Sequence, residues 1–145
     1  MSSWQEVDTS GCVRHLLDVH SSKAAAHLAR RNRPLAVTAL LALEVEQAVE
    51  HAMFRKAVAP AQGHKALSDW QADLASGAVE IVGTDWPQAF EEARRIARLR
   101  TLREGHRTLD ILHVAAALVS EAEELLTFDG RQRQLAKAEG LKVRP

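Results

Sequence analysis

Short apolar runs alternate along this chain with longer segments of helical periodicity. The apolar runs have the length of buried strands and lie at 35–38, 79–82, 125–128 and 141–143, and a weaker first strand is predicted at 6–10. The periodic segments predict helices at 21–31, 39–54, 64–76, 84–100, 108–120 and 130–139, with a turn expected around Pro60 and Gly63. Strands alternating with helices predict an α/β fold, in which helices cover a parallel sheet on both faces.

The composition is that of a soluble globular protein and predicts one domain over residues 1–145. Apolar residues make up 46% of the 145 residues and charged residues 26%. The single Cys12 excludes an internal disulfide and suits a reducing compartment. We see no signal peptide and no apolar run long enough to cross a bilayer, so a cytoplasmic protein without membrane contact is expected.

Two carboxylates are predicted to lie at the carboxyl ends of strands. Asp8 ends the weak first strand, and Asp129 follows the apolar run 125–128. In open parallel sheets, ligands bind at this edge, so both side chains are expected on the same rim. Thr9 and Thr127 add hydroxyl groups beside them.

Two further acids lie on helices at the margin of a buried face. In the helix 39–54, Glu44 falls between the apolar arc and the polar side, whereas Glu46 and Glu50 fall on the polar side. In the helix 108–120, which is apolar almost all round, Asp110 shares a narrow polar strip with His113. A buried carboxylate needs partners, so these positions favour a site.

Each acid taken alone has a structural explanation. Asp129 could cap the following helix, and Asp110 could serve only the helix dipole from a first turn capped by Thr108. Glu44 could pair with an arginine, and Asp8 could form an Asx turn. The control is Asp85, for which a capping role before Pro87 is sufficient. Taken together, the four acids are harder to explain in this way.

Other site chemistries have weaker support. The seven histidines and one cysteine show no H-E-x-x-H or C-x-x-C pattern, and neither a glycine-rich phosphate loop nor a G-x-S-x-G elbow is present. Four clustered carboxylates require compensating cations, and oxygen ligands suit Mg²⁺ or Mn²⁺. Such ions hydrolyse phosphodiesters by activating a water and stabilising the leaving oxygen.

Arginine clusters could hold the phosphates of a polyanionic substrate. The net charge is zero, but the segment 94–107 carries six arginines against one glutamate. The candidates for RNA binding are Arg94, Arg98, Arg103 and Arg107. For any single arginine, a solvated helix face is the simpler explanation.

Several segments together resemble the PIN-domain ribonucleases, and in particular the VapC-type toxins of bacterial type II toxin–antitoxin systems. The resemblance covers nearly the whole chain. It rests on "VDTS", "PLAVTALLALEVEQAV", "RTLDILHVAAAL" and "LLTFDGRQRQLAKAEGLKV", which contain Asp8, Glu44, Asp110 and Asp129. The spacing favours Asp8 over Asp18 as the first acid.

The resemblance implies a three-layer α/β/α sandwich with a short central parallel sheet flanked by helices. It implies that Asp8, Glu44, Asp110 and Asp129 bind Mg²⁺ or Mn²⁺ and cut RNA, such as tRNA or rRNA. It also implies a homodimer and a small VapB-like antitoxin. Thr9 and Thr127 would orient the acids, while Arg107 and His113 would flank them.

The first strand departs from the family pattern, because "SSWQE" is largely polar. An alternative is therefore a weakened or inactive PIN-like module that binds RNA or a protein. A third interpretation, a small-molecule phosphohydrolase, lacks its D-x-D arrangement at "DTS".

Overall fold

A computed structural model describes residues 5–7, 34–122, 124–127 and 129–144. The described residues form five short strands: β1 (Gln5–Val7), β2 (Leu35–Val37), β3 (Val79–Ile81), β4 (Glu124–Leu126) and β5 (Lys142–Arg144). They also form helices α1 (Ala39–Phe54), α2 (Pro60–Ser76), α3 (Trp86–Ile96), a π-helical turn (Ala97–Thr101), α4 (Leu102–Glu104), α5 (Thr108–Val119) and α6 (Gly130–Ala138). The helix predicted at 21–31 lies outside the described residues.

The strands form one parallel sheet with the order β3-β2-β1-β4-β5. From β1 the chain builds outward through β2 and β3, and it then returns to the other side of β1 through β4 and β5. The direction of strand addition therefore reverses between β1 and β4. In open parallel sheets, this reversal leaves a crevice at the carboxyl ends of the two strands.

Two apolar cores lie on opposite faces of the sheet. The pairing register aligns Ala36 with Leu125 through β1, and Leu125 with Val143, so these side chains project to one face. Leu35 and Val37 project to the other face. Leu125 and Val143 pack with α5 and α6, and Leu35 and Val37 pack with α1 and α2. The predicted three-layer α/β/α architecture is thus confirmed.

The turn predicted around Pro60 and Gly63 is wrong, because α2 already begins at Pro60. Proline suits this first helical position, since its missing N–H has no partner there in any case. Gly63 is buried inside the helix, where a Cβ atom would lie 2.4 Å from Sδ of Met53 in α1. The glycine therefore permits close packing of α1 and α2.

The helix predicted at 84–100 ends earlier and continues differently. Asp85 caps α3 by accepting a hydrogen bond from the backbone N–H of Gln88, as expected. The continuation is a π-helical turn followed by α4, which ends at Gly105 with a φ of +70°. A π-helical turn contains one extra residue and so shifts the buried face of the helix by one position. The α-helical periodicity of the sequence does not indicate this shift.

Three threonines have roles that differ from the sequence prediction. Thr38 is not a strand residue but caps α1, where its hydroxyl accepts a hydrogen bond from the N–H of Leu41. Thr108 is the first residue of α5 and not its cap, which is Arg107. Thr127 follows β4, so Asp129 lies beyond the strand end rather than on it.

None of the helices in the described ranges combines the length and apolarity needed to span a membrane.

Candidate acid site

Three of the four predicted acids lie on elements that meet at the carboxyl edge of the sheet. Asp129 follows β4 and precedes α6, Asp110 lies in the first turn of α5, and Glu44 lies in α1. Asp8, the fourth acid, and Thr9 fall outside the described residues. Asp8 follows Val7 in the sequence, and the backbone of Val7 pairs with that of Leu126 at the end of β4. The two strands that precede Asp8 and Asp129 therefore end side by side.

Asp129 is positioned by backbone hydrogen bonds at both of its ends. Its Oδ1 accepts from the N–H of Arg131 at 2.8 Å and from that of Gln132 at 3.1 Å, so Asp129 caps α6. Its own N–H donates to the hydroxyl of Thr127, which is buried. The cap uses Oδ1, whereas Oδ2 faces the guanidinium group of Arg107.

Asp110 and Asp129 both contact the guanidinium group of Arg107. Nε of Arg107 donates to Oδ2 of Asp110 at 3.1 Å, and its Nη2 lies 3.8 Å from Oδ2 of Asp129. The two carboxylates come from different elements and are only partly exposed, with side-chain exposures of 20% and 34%. One cation therefore links them.

Glu44 contacts the same helix as Asp110. Its Oε1 lies 2.8 Å from Nε2 of His113, which is buried in α5 three residues after Asp110. Residues three apart on a helix lie on the same face, so this contact brings Glu44 to the face that carries Asp110. The sequence suggested an arginine as a partner for Glu44, and the contact described here is with a histidine. Glu46 accepts a hydrogen bond from Gln71 of α2 instead.

The four arginines predicted to bind RNA lie in three different surroundings. Arg107 lies at the acids, whereas Arg98 and Arg103 are exposed along the π-helical turn and α4. Arg94 pairs with Glu91 of its own helix at 3.3 Å. The contact of Arg107 with Asp110 could have been found from the sequence, because oppositely charged residues three apart at a helix start commonly pair.

The site fits a hard divalent cation in its donor chemistry. The candidate ligands are carboxylate oxygens, which Mg²⁺ and Mn²⁺ prefer. Oδ2 of Asp110 and Oδ2 of Asp129 already share one positively charged group, which stands in for a cation. Within the described part of the chain, no three histidine, cysteine or acidic residues form a group that could hold a metal.

A sequence model of the PIN domain family matches residues 6–138. The chain belongs to the PIN domain family. PIN domains are generally nucleases and typically use divalent metal ions. The predicted family and fold class are thus confirmed. A search of the curated proteins found no significant match.

Solved structures share this PIN fold at low sequence identity. VapBC2 from Rickettsia felis, bound to a DNA fragment from its promoter, matches with a TM-score of 0.67, 16% identity, and coverage of 97% of this chain and 96% of that chain. VapBC-1 from nontypeable Haemophilus influenzae matches with a TM-score of 0.65, 14% identity, and coverage of 97% and 96%. PAE2754 from Pyrobaculum aerophilum matches with a TM-score of 0.60, 19% identity, and coverage of 99% and 90%.

Proposed function

We propose that this protein is a metal-dependent endoribonuclease and the toxin of a VapBC-type toxin–antitoxin pair. The observation that carries the proposal is the contact of Asp110 and Asp129, from two separate elements, with one cationic group at the carboxyl edge of the sheet. In this proposal, Asp8, Glu44, Asp110 and Asp129 hold Mg²⁺ or Mn²⁺. The bound ion would activate a water for attack on an RNA phosphodiester and stabilise the leaving oxygen.

The remaining residues of the site position these acids or the substrate. His113 holds Glu44, and the hydroxyl of Thr127 accepts the backbone N–H of Asp129, which fixes the direction of its carboxylate. Thr9 is assigned the corresponding role beside Asp8. The RNA backbone would be bound by Arg107 beside the acids and by Arg94, Arg98 and Arg103 on α3, the π-helical turn and α4.

The partner proposals are supported by the solved structures with the same fold. Two of them are VapBC proteins, and one of these is bound to promoter DNA. We therefore assign to this chain a small VapB-like antitoxin. A homodimeric state and a cytoplasmic location are part of the same proposal and rest on the sequence resemblance to VapC-type toxins. Exposed apolar side chains, such as those of Leu99 and Leu102 three residues apart, support contact with a protein partner.

The proposal is tested with purified protein and a structured RNA such as tRNA. We expect cleavage with Mg²⁺ or Mn²⁺, none in excess chelator, and none for Asp110→Asn at unchanged secondary structure. Asp73→Asn in α2 removes the same charge from the helical layer on the other face of the sheet and serves as the matched control. Equal cleavage by Asp110→Asn and Asp73→Asn would refute the proposal, as would cleavage undiminished by chelator.

The substrate is identified by expressing the protein alone, with and without Asp110→Asn, and mapping RNA 5′ ends. Growth arrest with discrete new ends that disappear in the variant is the expected result. An arrest that persists in the variant without new ends would favour a binding module over a nuclease.

A further inference from the structure

Arg107 occupies the oxygen atoms that a metal ion would need at the acid site. Its guanidinium group contacts Oδ2 of Asp110 and Oδ2 of Asp129, while Oδ1 of Asp129 is already used in capping α6. Carboxylates that share a site repel each other unless a cation compensates their charge. The arginine supplies that compensation from within the chain.

The contact of Arg107 with the acids is of a kind that can be broken. The Arg107 side chain is 69% exposed, and its distance to Asp129 is 3.8 Å, longer than a hydrogen bond. Exposed ion pairs of this kind contribute little to stability, because water and salt compete for both partners. A divalent ion brings twice the charge and binds several oxygens at once, so it can replace the guanidinium group.

The chain just before Arg107 is held in place by contacts that do not involve the Arg107 side chain. The preceding His106 is largely buried, and its Nε2 lies 2.5 Å from Oε2 of Glu104. Glu104 also pairs with Arg100 at 3.3 Å. The side chain of Arg107 can therefore leave the acids by rotating about its own bonds, while the backbone and α5 stay in place.

We infer that Arg107 is a displaceable internal cation: it neutralises Asp110 and Asp129 until a divalent ion binds, and the released guanidinium group then binds a phosphate of the RNA. This inference rests on the proposed function. The arginine and the ion compete for Oδ2 of each aspartate. After displacement, Arg107 remains beside the acids and carries the charge that a scissile phosphate attracts.

The test is a Mn²⁺ titration by calorimetry of the unmodified protein, Arg107→Ala and Lys65→Ala. Lys65 is exposed on α2 and pairs with Asp69 at 2.7 Å, so its removal also costs one positive charge and one exposed ion pair without touching the acids. We expect Arg107→Ala to bind Mn²⁺ about fivefold more tightly, the effect of losing one exposed ion pair, and Lys65→Ala to be unchanged. Arg107→Ala should also melt at a lower temperature without metal and recover when Mn²⁺ is added.

The second measurement is RNA cleavage at saturating Mn²⁺, at which metal affinity no longer limits the rate. Arg107→Ala should cleave about tenfold more slowly than Lys65→Ala, because a charged hydrogen bond to the phosphate is lost. Tighter metal binding together with slower cleavage is the result that supports the inference. If Arg107 only held the two acids in position, Arg107→Ala would bind the metal more weakly and also cleave more slowly.

The outcomes separate this inference from the proposed function. If the unmodified protein binds Mn²⁺ and Arg107→Ala binds it no more tightly, the displacement by Arg107 is refuted and the nuclease proposal stands. If cleavage by Arg107→Ala equals that of Lys65→Ala, the binding of phosphate by Arg107 is refuted. If the unmodified protein binds no Mn²⁺ and cuts no RNA, both are refuted together.

Discussion

Oε1 of Glu44 in α1 lies 2.8 Å from Nε2 of His113 in α5, although the residues are 69 positions apart in the chain. The two helices pack against opposite faces of the sheet, so the contact joins the two outer layers beyond the carboxyl ends of the strands. His113 is buried, and it fixes the position of Glu44 relative to Asp110. Because the site depends on this alignment, the histidine is expected to matter for function.

The first prediction concerns His113→Ala. Loss of the contact should let Glu44 move away from Asp110, and RNA cleavage should fall about 10- to 100-fold, the usual effect of removing a residue that orients a metal ligand. His64→Ala on the exposed side of α2 is the control. Cleavage rates are compared after circular dichroism has shown that both variants are folded. Equal rates would contradict the role of His113.

The second prediction separates the capping role of Asp129 from its role in the site. Asparagine caps helices about as well as aspartate, so Asp129→Asn should keep nearly full stability and lose cleavage. Asp129→Ala should lose cleavage and also about 1 kcal/mol of unfolding free energy. Both quantities are measured, the stability by urea unfolding.

Asp85 is the matched control for Asp129, because it caps α3 in the same manner. Asp85→Asn should keep both stability and cleavage, and Asp85→Ala should lose stability alone. If Asp129→Asn cleaved RNA as well as Asp85→Asn, then Asp129 would be only a helix cap.

The third prediction concerns an ion-pair cluster that joins the end of α6 to Arg95 of α3 and Arg100 of the π-helical turn. Glu139, largely buried after α6, accepts from Arg95 at 2.7 Å and from Arg100 at 2.6 Å. In a regular α-helix, residues five apart point about 140° from each other, whereas the wider π-helical turn brings them towards one face. Glu139→Gln should therefore lower the unfolding free energy by about 2 kcal/mol. The control is Glu91→Gln, which affects only the exposed pair with Arg94.

The same cluster predicts a loss of stability in acid. Burial alone would raise the pKa of Glu139, but the hydrogen bonds from Arg95 and Arg100 outweigh burial and hold the pKa below its ordinary value of 4.5. The unfolded chain then takes up the proton at a higher pH than the folded chain. The stabilisation is complete above about pH 4.5 and is lost as the pH falls through the lower pKa of the folded state. In Glu139→Gln, unfolding curves should show a weaker pH dependence in this range.

The fourth prediction concerns the packing of α1, which carries Glu44, against α2. In Gly63→Ala, the added methyl group would overlap the side chain of Met53. This side chain is flexible and only half-buried, so it can turn aside, and the cost of the overlap should stay close to the gain of about 1 kcal/mol in helix propensity. The unfolding free energy of Gly63→Ala, measured in urea, should therefore change little. In a Met53→Ala background the overlap is removed, and Gly63→Ala should raise the unfolding free energy by about 1 kcal/mol. An equal effect of Gly63→Ala in both backgrounds would contradict this reason.

The sequence by itself determined the order and type of the elements. Apolar runs of strand length and apolar faces of helical period predicted the strands and the helices α1, α2, α3, α5 and α6, because burial of an apolar face depends on its spacing along the chain. The π-helical turn and α4 were not predicted. The same patterns selected Asp110 and Asp129 as acids with unusual placement, and the capping motif at Asp85 is confirmed. Where a local rule was ambiguous, as at Pro60, the prediction failed.

Only the tertiary structure decided which charged groups meet. The contacts of Arg107 with Asp129, of His113 with Glu44 and of Glu139 with two arginines join residues from different elements. Such contacts depend on the order of strands, on the crossing of helices and on a π-helical turn, none of which leaves a periodic signal in the sequence. Sequence spacing reports which residues share a face of one element, whereas a site is made where the faces of several elements come together.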